Sequence, residues 1–228
     1  MRFLKLFLLS IFLINSLLSV SQNTSEIGLL LGGTYYQGDI NTSKLFQSPF
    51  FAGGVLYRHN FSTRYSLRGS IFIGKLISND ANSKYTYQLI RNHAFSSTIV
   101  DYTLQCEFNF LEYLPNNPDF NYSPYISTGV TFVIAGGTPR PYQIAIPLGI
   151  GFKYSLSPRL STGIEWTYRK TFTDFIDSTI GLEDDESFYK QTGYSHNNDW
   201  YAFAGIFLTY RFSLTKEGVC PAYGNYYK

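Results

Sequence analysis

The chain has 228 residues, of which 18% are aromatic and only 15% charged, against about 25% charged in an ordinary soluble domain. So high an aromatic content argues against disorder. Lys and Arg number 18 and Asp and Glu 16; without Arg2 and Lys5 the two signs balance, which leaves no basic stripe of the kind a nucleic-acid binder presents.

Residues 1–21 read as a signal peptide. Arg2 and Lys5 form a positive start, Leu6 to Ile14 an apolar core, and Ser19-Val20-Ser21 a small-residue cleavage site before Gln22. The core is too short to span a bilayer as a helix. The mature chain is therefore expected to work outside the cytoplasm, where a disulfide is allowed.

Beyond Gln22 no stretch suggests a transmembrane helix, and period-2 alternation recurs instead. The spacing predicts strands at 27–36, 50–60, 64–76, 96–110, 124–135, 142–156, 159–173 and 199–214. In the third, Tyr65, Leu67, Ile71 and Ile73 face one way and Arg64, Ser66, Arg68 and Ser70 the other. In the fourth, Val100, Tyr102, Leu104, Cys106 and Phe108 oppose Asp101, Thr103, Gln105, Glu107 and Asn109. The sixth sets Ile144, Ile146, Leu148, Ile150 and Phe152 against Gln143, Pro147, Gly149, Gly151 and Lys153. The seventh sets Leu160, Ile164, Trp166 and Tyr168 against Ser161, Gly163, Glu165 and Arg169, and the eighth sets Ile206, Leu208 and Tyr210 against Gly205, Thr209 and Arg211.

These strands are longer than the five or six residues common in globular sheets, and their apolar faces carry aromatic residues near the ends, as membrane barrels do. Only a closed sheet leaves no unpaired edge in lipid. The expected fold is therefore all-β: an eight-stranded antiparallel transmembrane β-barrel over 22–214, with a short periplasmic C-terminal tail at 215–228. Connection lengths orient it. The turns at 61–63 and 157–158 are tight and suit the periplasmic side, while 37–49, 77–95 and 174–198 are long and suit the outside. The connection 136–141 is a short outer one. The inner connection 111–123 is longer, and its LPNNPDF suggests a rigid protruding turn.

Eight strands leave a lumen only wide enough for side chains. Arg64, Arg68, Glu107, Lys153, Glu165, Arg169 and Arg211 are expected to fill it as a charged network, with no open pore. Chemistry is sparse elsewhere. His59, His93 and His196 are scattered, no Gly-x-Ser-x-Gly occurs, and the acidic run 183–186 lacks the pattern of a calcium loop. We expect no catalytic residue, no metal site, no cofactor and no small-molecule substrate. Cys106 and Cys220 are the only cysteines. Either they pair with each other, the tail wrapping round the rim, or Cys220 is free to join a partner. The tail residues Pro221, Tyr223 and Tyr226 suit a protein contact.

Several blocks resemble the PorG-type outer-membrane barrels of Bacteroidetes: EIGLLLGGTYYQGDIN at 26–41, FNFLEYLPNNP at 108–118, YSPYISTGVTF at 122–132, the long block 147–178 and CPAYG at 220–224. That family belongs to the type IX secretion system. The resemblance implies an outer-membrane barrel embedded in lipid and bound to a periplasmic ring of the PorK and PorN type, in a machine linked to gliding motility. It also makes the tail around Cys220 the first choice for the ring contact. An outer-membrane adhesin or a small-solute channel acting through the outer loops is the alternative.

Overall fold

The computed structural model describes residues 24–38, 46, 48–79, 94–115, 117–138, 140–172 and 199–213. The expected signal peptide and the expected C-terminal tail lie outside them. Eight strands follow in chain order: β1 Thr24–Gln37, β2 Phe50–Asn60, β3 Tyr65–Asn79, β4 Ala94–Asn109, β5 Tyr122–Ala135, β6 Tyr142–Ser157, β7 Leu160–Thr171 and β8 Trp200–Ser213. Each pairs antiparallel with the next, and β8 returns to β1, so the sheet is a closed barrel.

The register gives the strands their tilt. Followed from Thr24 through Asn60, Ser66, Glu107, Ser127, Gly149, Thr167 and Phe203, the ladder comes back to β1 at Thr34. A stagger of this kind is what closing a sheet requires. Every residue on that path points inward, because the side-chain period of a strand is two.

Strand ends differ from the sequence expectation where a neighbour extends the pairing. β3 runs on to Asn79 because β4 already begins at Ala94, and the two pair to their ends. β1 starts at Thr24 because Asn60 and Ser213 flank it on either side. Pro147, which has no N–H, interrupts the β5–β6 ladder: pairing stops between Thr128↔Leu148 and Thr131↔Ala145. Gly54 is required by curvature, since a Cβ there would lie 2.1 Å from the carbonyl oxygen of Ile71.

The two faces of the wall are chemically opposite. On β6, Ile150 is 56% exposed and Lys153 0%. Outward positions around the wall carry Leu29, Val55, Ile73, Leu104, Val130 and Ile164, all exposed. Aromatic residues ring both ends. Tyr65 packs on Phe108 and Tyr122 on Phe152 at one end. At the other, Trp166 donates to Tyr35 Oη at 2.8 Å, and Tyr35 donates to Tyr168 Oη at 3.0 Å. A closed sheet that buries its charges and exposes a hydrocarbon band between aromatic girdles is a transmembrane β-barrel. Ile150→Arg should therefore destabilise the barrel by about 2–4 kcal/mol, whereas Tyr122→Arg, at a strand end, should cost only about 0–1 kcal/mol. Urea titration in lipid vesicles measures both; equal small effects would show that the outer wall faces water.

The lumen as the candidate functional site

The inward faces converge on two ionic clusters with an apolar layer between them. The first lies towards the end that carries Thr24 and Ser213, and Glu107 is its hub. Arg58 donates to it through Nε at 2.8 Å and Nη2 at 3.3 Å. Lys153 Nζ donates at 2.6 Å and Ser66 Oγ at 3.2 Å, and Arg68 Nε lies 3.2 Å away as an ion pair. Glu26 is a second hub. It accepts from Arg58 at 2.8 Å, Arg211 at 2.7 Å, Asn60 at 3.0 Å and Thr209 at 3.0 Å. Arg68 also donates to Glu165 and to Gln105, and Tyr125 donates to Glu165 at 3.1 Å. Every hub thus joins several strands, and the charges are paired and hydrogen-bonded, as buried charges must be.

The second cluster lies towards the opposite end. Arg169 Nε is 2.7 Å from Asp101 Oδ2, and Tyr201 donates to the same oxygen at 2.8 Å. Further out, Tyr36 Oη donates to Asp199. Between the clusters sit Leu30, Leu56, Phe72, Phe203 and Phe207, all buried in one group. Arg58 stacks over Phe207 at 4.9 Å and Arg169 over Phe72 at 4.8 Å, so both clusters abut the apolar layer. Phe72 and Phe203 meet with ring centroids 5.1 Å apart.

The connection after β4 closes the mouth nearest the first cluster. Tyr113 is buried there, its N–H bonded to Thr63 O at 3.1 Å. Its ring lies 5.4 Å from the Arg211 guanidinium and 6.0 Å from Lys153 Nζ. The 3-10 turn Pro118–Phe120, capped by Asn117, then carries the chain on to β5. The connection expected to protrude therefore tucks one side chain, Tyr113, into the mouth.

Six of the seven charges expected in the lumen are inside it: Arg68, Glu107, Lys153, Glu165, Arg169 and Arg211 are all buried. Arg64 is not. It stands in the turn before β3, its side chain 44% exposed, donating to Phe110 O at 2.9 Å and lying 3.5 Å from Glu112. The alternation stops at Tyr65, because Phe61 and Ser62 donate their N–H groups to Tyr65 O and close a tight turn. Glu26 and Arg58 were missed, although both sit in strict alternation with inward residues of β1 and β2. Asp101 was legible as a polar-face residue of β4.

Cys106 is exposed on the outer face, opposite Leu67 and Thr128. Cys220, Pro221, Tyr223, Tyr226, His93, His196 and the acidic run 183–186 lie outside the described residues. His59 faces outward, with Nδ1 3.0 Å from Ser25 Oγ. Among the described residues no three His, Cys, Asp or Glu side chains gather into a metal-binding group.

Among solved structures, the chain is similar to Neisserial surface protein A, at 10% identity and a TM-score of 0.49, over 84% of this chain and 98% of that one. It is similar to Ail of Yersinia pestis at 15% identity and a TM-score of 0.47, over 84% and 100%. It is similar to the outer membrane protein OprG of Pseudomonas aeruginosa at 10% identity and a TM-score of 0.47, over 86% and 99%. No curated protein matches the chain. The model of one family, described as a domain of unknown function, DUF6089, matches residues 5–222, and the chain belongs to that family.

Proposed function

We propose that this barrel sits in the outer membrane and works as a structural base, anchoring a periplasmic assembly rather than conducting solutes. The observation that carries the reading is the filled lumen. Arg58, Arg68, Arg169 and Phe203 are among its largest fully buried side chains, and Tyr113 stops one mouth. A wall that holds lipid on one side and a packed interior on the other offers its rims and connections as working surfaces. A small-solute channel has this packing against it.

The resemblance to PorG-type barrels supports a finer reading. In it the assembly is a PorK- and PorN-type ring of the type IX secretion machinery, and the segment around Cys220 makes the contact. No residue has a catalytic part in this account. Deleting the gene is expected to abolish secretion of type IX cargo and gliding, and a deletion strain that secretes normally would end the reading. Non-reducing gels of native membranes, with and without Cys220→Ser, should show a covalent partner if the tail makes one.

A further inference from the structure

The outer wall carries a notch at Gly69 that backbone geometry does not account for. Gly69 faces outward in β3, and a Cβ built on it meets nothing within 4 Å. Inward glycines such as Gly54 and Gly129 are explained by backbone atoms at 2.1 and 2.0 Å from the Cβ position, but Gly69 is free of such a constraint. A glycine weakens a strand, so the empty space is itself the feature to explain.

The ladder shows how the space is bounded. Gly69 pairs with Tyr57 on β2 and with Leu104 on β4, and these pair onward with Ile27 and Val130. A row of large outward side chains is thus missing one member at its centre. The resulting groove has a volume of about 580 Å³, within the range of ~300–1,000 Å³ common for small-ligand sites. It lies in the hydrocarbon band, so its occupant must be apolar. One wall of the groove is amphipathic. The Tyr57 ring lines it, while its hydroxyl lies 2.9 Å from Ser25 Oγ, which is itself 3.0 Å from His59 Nδ1. Ser25 and His59 pair one residue from the Thr24 end of the β1–β2 ladder, Ser25 buried and His59 half-buried.

The geometry points to a retained-phospholipid site: one acyl chain lies over Gly69 between Tyr57 and Leu104, with its head group beside the Tyr57 hydroxyl and the half-buried His59. This inference rests on the transmembrane reading of the barrel. An apolar groove on the lipid-facing wall, lined by Tyr57 whose hydroxyl points to the half-buried His59 side, matches an amphiphile better than it matches a protein segment.

The test uses the full chain reconstituted in vesicles of phosphatidylethanolamine and phosphatidylglycerol, extracted in mild detergent and weighed by native mass spectrometry. The wild type should keep one phospholipid, and Gly69→Phe should lower the retained fraction at least about tenfold. Gly53→Leu is the control, since it fills an outward position outside the groove where the nearest atom is Leu31 Cδ2 at 3.5 Å. It should retain the lipid, and all three proteins should give the same β spectrum. Equal retention in wild type and Gly69→Phe overturns the site, as does a wild type without lipid. A dimer that dissolves with Gly69→Phe assigns the groove to a second copy and overturns it too. A chain that stays in solution without detergent defeats the transmembrane reading, and the lipid site with it.

Discussion

Replacing Glu107 by leucine is expected to destabilise the barrel by about 3–5 kcal/mol, the range for removing one member of a buried ion pair. Glu107 is 2% exposed, and its carboxylate holds Arg58, Arg68 and Lys153 at 2.6–3.2 Å. Without it three cations face one another in a space that water enters poorly. Arg58 keeps Glu26 and Arg68 keeps Glu165, but Lys153 is left with no carboxylate, only neutral partners: Asn109 at 2.9 Å, Ser66 at 3.4 Å and the Tyr125 ring at 4.6 Å. Lys153→Met in the Glu107→Leu background should therefore recover part of the loss, a coupling expected of groups that share one network. Glu107→Gln, which keeps two polar atoms, should cost less than leucine. Urea unfolding in vesicles, followed by Trp166 and Trp200 fluorescence, reads all of these. A Glu107→Leu protein as stable as wild type would show that the cluster does not hold the strands together.

The barrel was legible because its rule is local. A side chain that alternates between hydrocarbon and a polar interior leaves a period of two in the sequence, and the strands β2, β4, β6 and β8 fall within about two residues of the positions that rule predicts. The ends were less legible because they depend on the partner: Asn79 is a strand residue only because Ala94 lies opposite it. Arg64 shows the same limit, since parity carries it inward while the turn hydrogen bonds carry it out. The apolar layer was hidden for a different reason. Phe72, Phe203 and Phe207 occupy inward positions with outward chemistry, and a binary pattern has no sign for them. An interior read only as charged lacks the residues that separate its two clusters. Tyr113 was out of reach as well, because its burial depends on a connection folding back under β3 and β6, which no periodicity encodes.

Phe207→Ala should cost about 3–5 kcal/mol, as truncation of a buried aromatic does when its surroundings cannot collapse. Phe207 is 1% exposed and stands in β8 between Gly205 and Thr209, where the apolar layer gives way to the Glu26 cluster. Its neighbours are held by the wall, so the cavity will remain. Two effects then separate. Lost packing lowers stability, and Phe207→Leu, which conserves most of the volume, should lower it by less than about 1.5 kcal/mol. The loss of the ring beneath the Arg58 guanidinium, now 4.9 Å from its centroid, exposes that cation to any water entering the cavity. Planar-bilayer recordings distinguish a packing layer from a gate. Wild type should show no conductance steps. If the layer is only packing, Phe207→Ala stays silent as well, because Phe72, Phe203 and the two ionic clusters still fill the bore. Steady single-channel openings in Phe207→Ala would instead mean that one phenyl ring is the barrier across an otherwise conducting lumen. The structural-base reading would then give way to that of a closed channel.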